Sequence, residues 1–142
     1  MHPDIRKVTK HEELSDAHRV RRNVFIKEQG VSEQDEHDAF EDQATHIVGY
    51  FDGEPFAAAR LRFIEDYAKL ERICVEKAHR GNSFGKQIIH YMETVIKDEG
   101  YSRAKLNSQT HAEGFYESLG YRTVSEEFMD AGIPHVTMIK DL

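Results

Sequence analysis

The sequence predicts an α+β fold with a largely antiparallel sheet and one parallel crossover. Two apolar strand-like segments, residues 45–51 and 54–64, are separated by Asp52-Gly53, which is a two-residue hairpin signal. A further strand-like segment, residues 69–75, runs through a loop of small residues into an amphipathic helix. We therefore expect a twisted sheet of about seven strands with helices against it.

Each element follows from local pattern. Thr9 and Glu12 have the spacing of a capping box, and Gly30 is a natural stop for the helix that begins there. The acidic segment 33–42 is expected to be a loop or a short helix, and Gly100 and Gly120 end two further helices. The predicted strands are residues 4–8, 45–51, 54–64, 68–75, 104–107, 121–128 and 135–140, and the later helices are residues 84–99 and 113–119.

Composition limits the class of protein. The chain has 142 residues, of which 39% are hydrophobic and 32% charged, so one globular domain over residues 1–142 is expected. A net charge of −7 argues against a nucleic-acid partner. The single cysteine fits a reducing compartment, and the sequence has neither a long apolar run nor a signal-peptide pattern. We expect a cytoplasmic protein without a membrane partner.

The loop at residues 75–86 suggests a phosphate-bearing ligand. A strand, a small-residue loop and a helix start direct backbone N–H groups and the positive end of a helix dipole at one point. The P-loop spacing fails, because three residues separate Gly81 from Gly85 and Gln87 stands where a magnesium-binding hydroxyl belongs. The three-glycine dinucleotide pattern fails as well. What remains is Arg80-x-x-Ser83-x-Gly85.

A second motif follows about thirty residues later, after an intervening strand. Phe115 and Tyr116 precede Gly120 and Tyr121 with the spacing Phe-Tyr-x-x-x-Gly-Tyr. The two motifs together resemble those of the GNAT superfamily, the acyl-CoA-dependent N-acyltransferases. Residues 22–31 and 132–138 are similar to the small bacterial ElaA/YjcF-like branch, so the resemblance covers nearly the whole chain.

This resemblance implies the GNAT fold, acetyl-CoA as acyl donor, no metal, and direct attack by an amine acceptor in a ternary complex. Strands four and five would splay apart to admit the donor, and a backbone N–H near Cys74 or Val75 would stabilise the developing oxyanion. Ser83 stands where the family usually has glycine. The implied cofactor-binding residues are Ile73, Cys74, Val75, Arg80, Gly81, Asn82, Ser83, Phe84, Gly85, Lys86 and Asn107.

Two catalytic roles are assigned by hypothesis. Tyr116 would be the general acid that protonates the leaving thiolate, unless it only packs its helix on the sheet. Glu71 would be the general base, with Glu28 and His111 as weaker candidates, although Glu71 could simply be paired at the sheet surface. Strict strand alternation would place Glu71 on the same face as Ile73.

Other residues have two interpretations each. Cys74 could carry an acyl group or be a small core residue. His37 and Glu41 are one helical turn apart, but no second pair of metal ligands stands near them. His135 either points into the cleft or caps the last strand. The acidic segment is either a solvated face or part of a wall that suits a cationic amine.

The function expected from these observations is an N-acetyltransferase that acts on a small-molecule or protein amine, as a monomer or homodimer. Three alternatives stay open. The chain could bind or sense acyl-CoA without catalysis, or it could use a different acceptor, since residues 24–25 also resemble those of acyl-homoserine-lactone synthases. The third alternative, and the most distant one, is a generic nucleotide-binding protein.

Overall fold

A computed structural model describes residues 2–142. Eight strands form one mixed sheet in the order β1-β2-β3-β4-β5-β8-β6, and β7 pairs with β8. All neighbouring pairs are antiparallel except β4 with β5, which confirms the predicted single parallel crossover. The strands are β1 (Asp4–Lys7), β2 (Thr45–Phe51), β3 (Glu54–Ile64), β4 (Tyr67–Val75), β5 (Arg103–Gln109), β6 (Arg122–Thr123), β7 (Phe128–Asp130) and β8 (Ile133–Asp141).

Helices cover the two faces of the sheet. The helix α1 (His11–Arg21) continues as a π-helical segment (Arg22–Glu28), and Gly30 follows with a φ of 75°. The acidic segment contains α2 (Glu33–Glu36) and a 3₁₀ turn (Glu41–Gln43). The helix α3 (Phe84–Asp98) is the crossover between β4 and β5, and α4 (Glu113–Ser118) follows β5.

Two apolar cores hold these layers together. The larger one lies between the sheet and α3, where Ile88, Met92 and Ile96 pack against Leu61 and Leu106. The smaller core lies under α1 on the opposite face and contains Ala17, Val20, Val24, Val48, Ala58 and Cys74. Among residues 2–142 no helix has both the length and the apolar character needed to cross a bilayer.

The pairing of β4 with β5 is short. It runs from Ala68 opposite Ala104 to Leu70 opposite Leu106, and then the two strands separate. From Glu71 onward, the edge of β4 that faces β5 has no strand partner. This separation opens a cleft at the carboxyl ends of both strands, where parallel strands in an open sheet commonly bind ligands.

A β-bulge in β4 makes the expected strict alternation wrong. Arg60 pairs with Glu71 and Ala58 with Cys74, so β4 contains one residue more than β3 between these pairs. Arg72 has a left-handed φ of 55°, which accommodates the extra residue. Glu71 consequently shares a sheet face with Cys74, whereas Ile73 packs on the α3 side.

Two local predictions also need correction. The capping carboxylate is Glu13 and not Glu12, since Glu13 accepts from the backbone N–H of Thr9 at 2.8 Å and of Lys10 at 3.1 Å. The predicted strand 121–128 is instead two short strands, β6 and β7, which both pair with β8. A tight turn with positive φ at Ala131 and Gly132 joins β7 to β8.

Candidate active site

The cleft between β4 and β5 connects three cavities. The central cavity is lined by Leu70 to Ile73 of β4, by β5, and by His111, Tyr116 and His135. A groove on one side reaches the loop before α3 and shares Tyr116 with the central cavity. A pocket on the other side is enclosed by Phe25, Val31 and Ile133 and shares His135 with the central cavity.

The loop before α3 presents a row of backbone donors to the groove. No backbone or side-chain acceptor among the described residues receives the N–H groups of residues 81–86, and the first hydrogen bond of the helix is from Gln87 N–H to the Ser83 carbonyl. Gly81 has a φ of 84°, which permits the turn of this loop. A row of unpaired N–H groups at a helix N-terminus is suited to a phosphate group.

Ser83 immediately precedes α3 in a left-handed conformation, with a φ of 62°. Glycine adopts this conformation without steric cost, whereas a residue with a side chain is strained by about 1–3 kcal/mol. The backbone conformation therefore gives a physical reason why glycine is usual at this position and why serine is a departure.

Arg80 and Asn82 stabilise the loop with their side chains. The guanidinium of Arg80 donates to both carboxylate oxygens of Glu28, at 2.6 and 2.7 Å, and its Nε donates to the Val75 carbonyl at 2.9 Å. Asn82 donates to the His79 carbonyl at 3.1 Å. The hydrogen bond from Arg80, ahead of burial, lowers the pKa of Glu28, which makes Glu28 a weak proton acceptor.

The other proposed cofactor-binding residues differ in whether the side chain or only the backbone can contact a ligand. Ile73, Val75, Gly85 and Lys86 line the groove. The ring of Phe84 is buried against Phe56, with ring centroids 4.9 Å apart, so the backbone of Phe84 is what it offers to a ligand. The Asn107 side chain lines the central cavity and accepts a hydrogen bond from Thr137 at 2.9 Å.

Cys74 lies in the smaller core, on the face of the sheet away from α3, and its side chain is buried. Burial raises the pKa of the Cys74 thiol to about 12. Because the thiolate is the reactive form, this environment favours the core interpretation over the nucleophile.

Tyr116 lines both the central cavity and the groove. Its ring packs edge-on against Tyr121, with centroids 6.0 Å apart, and burial raises the pKa of Tyr116 to about 12. Its hydroxyl has no hydrogen-bond partner among residues 2–142. By contrast, the hydroxyl of Tyr121 donates to Glu93 at 2.8 Å and belongs to the core.

Glu71 is surrounded by cations. Its carboxylate accepts from Arg60 and Arg62 at 2.8 Å and lies 3.2 Å from the Lys69 ammonium. Burial alone would raise the pKa of Glu71, but the hydrogen bond from Arg62 and the charges of Arg60 and Lys69 lower it. A carboxylate held in this way accepts a proton poorly, so these contacts disfavour the base role that we assigned to Glu71 from the sequence.

The acidic segment is part of a buried ion-pair network and is not simply a solvated face. Arg21 and Arg60 are fully buried. Glu41 bridges them, with Arg21 Nη1 at 2.7 Å and Arg60 Nη1 at 2.9 Å. Glu36 also pairs with Arg21, and Asp38 with Arg60. The members of this network come from three separate segments, so no periodic pattern in the sequence indicates it.

Two histidines, His111 and His135, line the central cavity. The Nε2 of His111 is 2.6 Å from the Gln109 side-chain oxygen. His135 is buried at the start of β8, and its Nδ1 is 2.7 Å from the Ile133 carbonyl oxygen. His135 also lines the pocket beside Phe25, but not the groove. His135 therefore contacts the backbone at the start of β8 and also lines the cleft, so both interpretations agree with its position.

Outside the cleft, His18, His37 and Glu41 bring possible metal-ligand atoms within 4.8 Å of one another. The Glu41 carboxylate already accepts from His18, Arg21 and Arg60. Two guanidinium groups beside the same carboxylate make this cluster unfavourable for a cation.

Comparisons with known proteins agree with this geometry. The family model described as an acetyltransferase (GNAT) domain matches residues 8–142. The uncharacterized N-acetyltransferase YjcF of Bacillus subtilis is 48% identical over 131 residues, which are 92% of this chain and 94% of that protein. The Escherichia coli protein ElaA is 31% identical over 84% of this chain and 81% of its own length.

Solved structures show the same architecture. The crystal structure of Escherichia coli ElaA has a TM-score of 0.86 at 25% identity and covers 99% of this chain and 100% of its own. A GNAT family acetyltransferase of Elizabethkingia anophelis, with acetyl-CoA bound, has a TM-score of 0.74 over 99% of this chain and 98% of its own. At 14% identity the second likeness concerns the fold alone.

The family model covers almost the whole chain, and two relatives exceed 30% identity over most of their length. The GNAT fold, with eight strands and four α-helices, is the one that the sequence motifs implied. The chain belongs to the GNAT acetyltransferase family, within its ElaA/YjcF-like branch.

Proposed function

We propose that this protein transfers an acetyl group from acetyl-CoA to an amine by direct attack within a ternary complex. The observation that carries the proposal is the row of unpaired N–H groups at residues 81–86, beside the gap where β4 and β5 separate. The Elizabethkingia anophelis acetyltransferase, which shares the fold, has acetyl-CoA bound, and we propose the same compound as the donor here.

The backbone groups along the cleft match the parts of acetyl-CoA in turn: diphosphate, pantetheine and thioester. The N–H groups from Gly81 to Lys86 would hold the diphosphate, and the unpaired edge of β4 would hydrogen-bond the pantetheine as an added strand does. Acetyl-CoA supplies a thioester, whose carbonyl carbon is the electrophile. N–H groups of β4 between the bulge and Val75 would stabilise negative charge that develops on its oxygen.

Tyr116 is the proposed general acid. Transfer forms a bond from the amine nitrogen to the acetyl carbon and breaks the carbon–sulfur bond, so a thiolate leaves and takes a proton. The raised pKa keeps the Tyr116 hydroxyl protonated across the physiological range, and no neighbour among the described residues binds it. It also lines the groove and the central cavity together, where the sulfur would lie.

Direct attack is preferred to a covalent enzyme intermediate because the single cysteine of the sequence is a poor nucleophile. Cys74 is the only cysteine, and its thiol is buried in the opposite core with a raised pKa. We therefore expect no acetylated protein to accumulate when the enzyme is mixed with acetyl-CoA alone.

The test is an acceptor screen with thiol detection. Purified protein is mixed with acetyl-CoA and a panel of primary amines, and acetylated products are identified by mass. Amine-dependent thiol release with a matching product supports the proposal. Tight binding of coenzyme A with no turnover across the panel would instead favour the non-catalytic acyl-CoA sensor.

A further inference from the structure

We propose that His135 is the proton acceptor for the incoming amine, and that the pocket enclosed by Phe25, Val31 and Ile133 receives this amine. This inference rests on the proposed acyl transfer. What it adds is a specific residue for the base, which the motifs do not indicate.

The need for a proton acceptor follows from the chemistry of amines. An aliphatic amine has a pKa of about 10.4, so only about one molecule in a few thousand is neutral at pH 7. The ammonium form has no lone pair with which to attack the thioester. A group at the acceptor side of the cleft must therefore take one proton before or during attack.

Two carboxylates near the cleft, Glu71 and Glu28, are already engaged by cations. Glu71 is bound by Arg60, Arg62 and Lys69, and Glu28 is bound at both oxygens by Arg80. Each of these contacts stabilises the ionised carboxylate and weakens it as a base. Asp35 and Asp130 form no salt bridge among the described residues, but they line the acceptor-side part of the cleft and not the central cavity that His135 reaches.

The hydrogen bond at Nδ1 fixes the tautomer of His135. A carbonyl oxygen only accepts, so the contact with the Ile133 carbonyl places the hydrogen on Nδ1. In the neutral ring Nε2 then carries a lone pair, and no described residue hydrogen-bonds it. The ring is also held in place, since it stacks on Phe128 with an interplanar angle of 27°. An oriented imidazole with a free nitrogen is the common form of a general base.

The position of His135 complements that of Tyr116. His135 lines the central cavity and the pocket beside Phe25, but not the groove. Tyr116 lines the central cavity and the groove, but not that pocket. The base therefore lies on the acceptor side and the acid on the donor side of one cleft, which is the order that transfer from thioester to amine requires.

The step balances as follows. The ammonium proton moves to His135 Nε2, and the freed lone pair forms the nitrogen–carbon bond. The carbon–sulfur electrons leave with sulfur, which takes the Tyr116 proton. Attack leaves one further proton on nitrogen, which passes to solvent as the neutral amide forms. Solvent then takes the proton from His135 and returns one to Tyr116, so the net reaction releases one proton.

The test compares His135→Asn with the wild type on two small acceptors. Asparagine keeps an N–H donor for the Ile133 carbonyl but has no counterpart of Nε2. Ethylamine is cationic at neutral pH, whereas hydroxylamine is a neutral nucleophile that needs no prior deprotonation. His90→Gln, an exposed histidine on α3, is the control for general effects of histidine replacement.

We expect His135→Asn to lower kcat with ethylamine by about 10²–10⁴-fold and with hydroxylamine by less than about tenfold. Acetyl-CoA affinity, measured by calorimetry without acceptor, should be unchanged. The assignment would be overturned if kcat fell equally with both acceptors or did not fall with ethylamine. It would also be overturned if His111→Gln lowered kcat with ethylamine to a similar extent but left kcat with hydroxylamine unchanged. If the wild type acetylates neither probe although acetyl-CoA binds, the small-amine pocket is refuted while donor binding stands.

Discussion

Leu70 and Leu106 are the last residues that pair across the parallel strands β4 and β5, and both side chains belong to the core beneath the cleft. The gap begins one residue later, at Glu71, where the bulge in β4 also begins. The floor of the cleft is therefore packed core, and substitutions at either side of the cleft can block that side separately.

A first prediction concerns the groove. Ala112 lines both the groove and the central cavity, so Ala112→Phe should fill the path of the pantetheine. We expect acetyl-CoA affinity, measured by calorimetry, to fall at least about tenfold, which corresponds to about 1.4 kcal/mol.

Ala131→Phe is the matched control, since Ala131 lines only the pocket on the acceptor side. This change should raise the KM for the amine and leave acetyl-CoA affinity as in the wild type. A loss of donor affinity in Ala131→Phe alone would contradict the proposed assignment of the two sides.

A second prediction concerns Tyr116. Removal of its hydroxyl in Tyr116→Phe should lower kcat by about 10²–10⁴-fold, with acetyl-CoA affinity little changed, because the ring would still pack. Tyr91→Phe is the control, since the Tyr91 hydroxyl accepts from the Lys7 backbone N–H and lies outside the cleft. Steady-state rates over a range of pH measure both variants, and undiminished turnover in Tyr116→Phe would remove Tyr116 from the role of acid.

A third prediction concerns the left-handed residue before α3. Ser83→Gly relieves the strain at a φ of 62°, but glycine also gives the unfolded chain more conformational freedom, so the free energy of unfolding should rise by only about 0.5–1 kcal/mol. Acetyl-CoA affinity should stay equal or rise, because the backbone N–H groups are preserved and the side chain is gone. A variant that is less stable in denaturant titrations would show that the Ser83 side chain contributes an interaction that outweighs the strain.

A fourth prediction concerns acid stability. Hydrogen bonds from Arg60 lower the pKa of Asp38 from 3.8 to about 2, although burial opposes this shift. A depressed pKa means that the stabilisation is complete above the unfolded value and is lost as the pH falls through the folded value. The free energy of unfolding should therefore decrease between about pH 4 and pH 2.

Asp38→Asn should be less stable than the wild type at neutral pH and should lose less stability over that acid range. Denaturant titrations at several pH values measure both quantities. Parallel curves for the two proteins would contradict the assignment of this pH dependence to Asp38.

The sequence predicted most of the fold because its strong signals are local. The hairpin at Asp52-Gly53, the start of α3 at Phe84 and the ends marked by glycine all agree with the structure. The loop and Tyr116 were found in the same way, from short motifs.

The remaining features depend on contacts between distant segments. The bulge at Arg72 leaves no mark in the pattern of β4, so the face of Glu71 was assigned wrongly relative to Ile73. The partners of Glu71 come from β3 as well as β4, and no spacing rule relates them. His135 gained its significance only when the structure showed which nitrogen is bound and which cavities the ring lines.

The central claim is that backbone N–H groups of residues 81–86 hold the diphosphate of coenzyme A. Calorimetric titration of the wild type with coenzyme A, and in parallel with pantetheine, which lacks the diphosphate, tests this claim directly. The account predicts measurable binding of coenzyme A and an affinity for pantetheine that is at least about 100-fold weaker, or about 2.7 kcal/mol. Equal affinity for the two compounds, or no heat from coenzyme A at millimolar concentration, would contradict it.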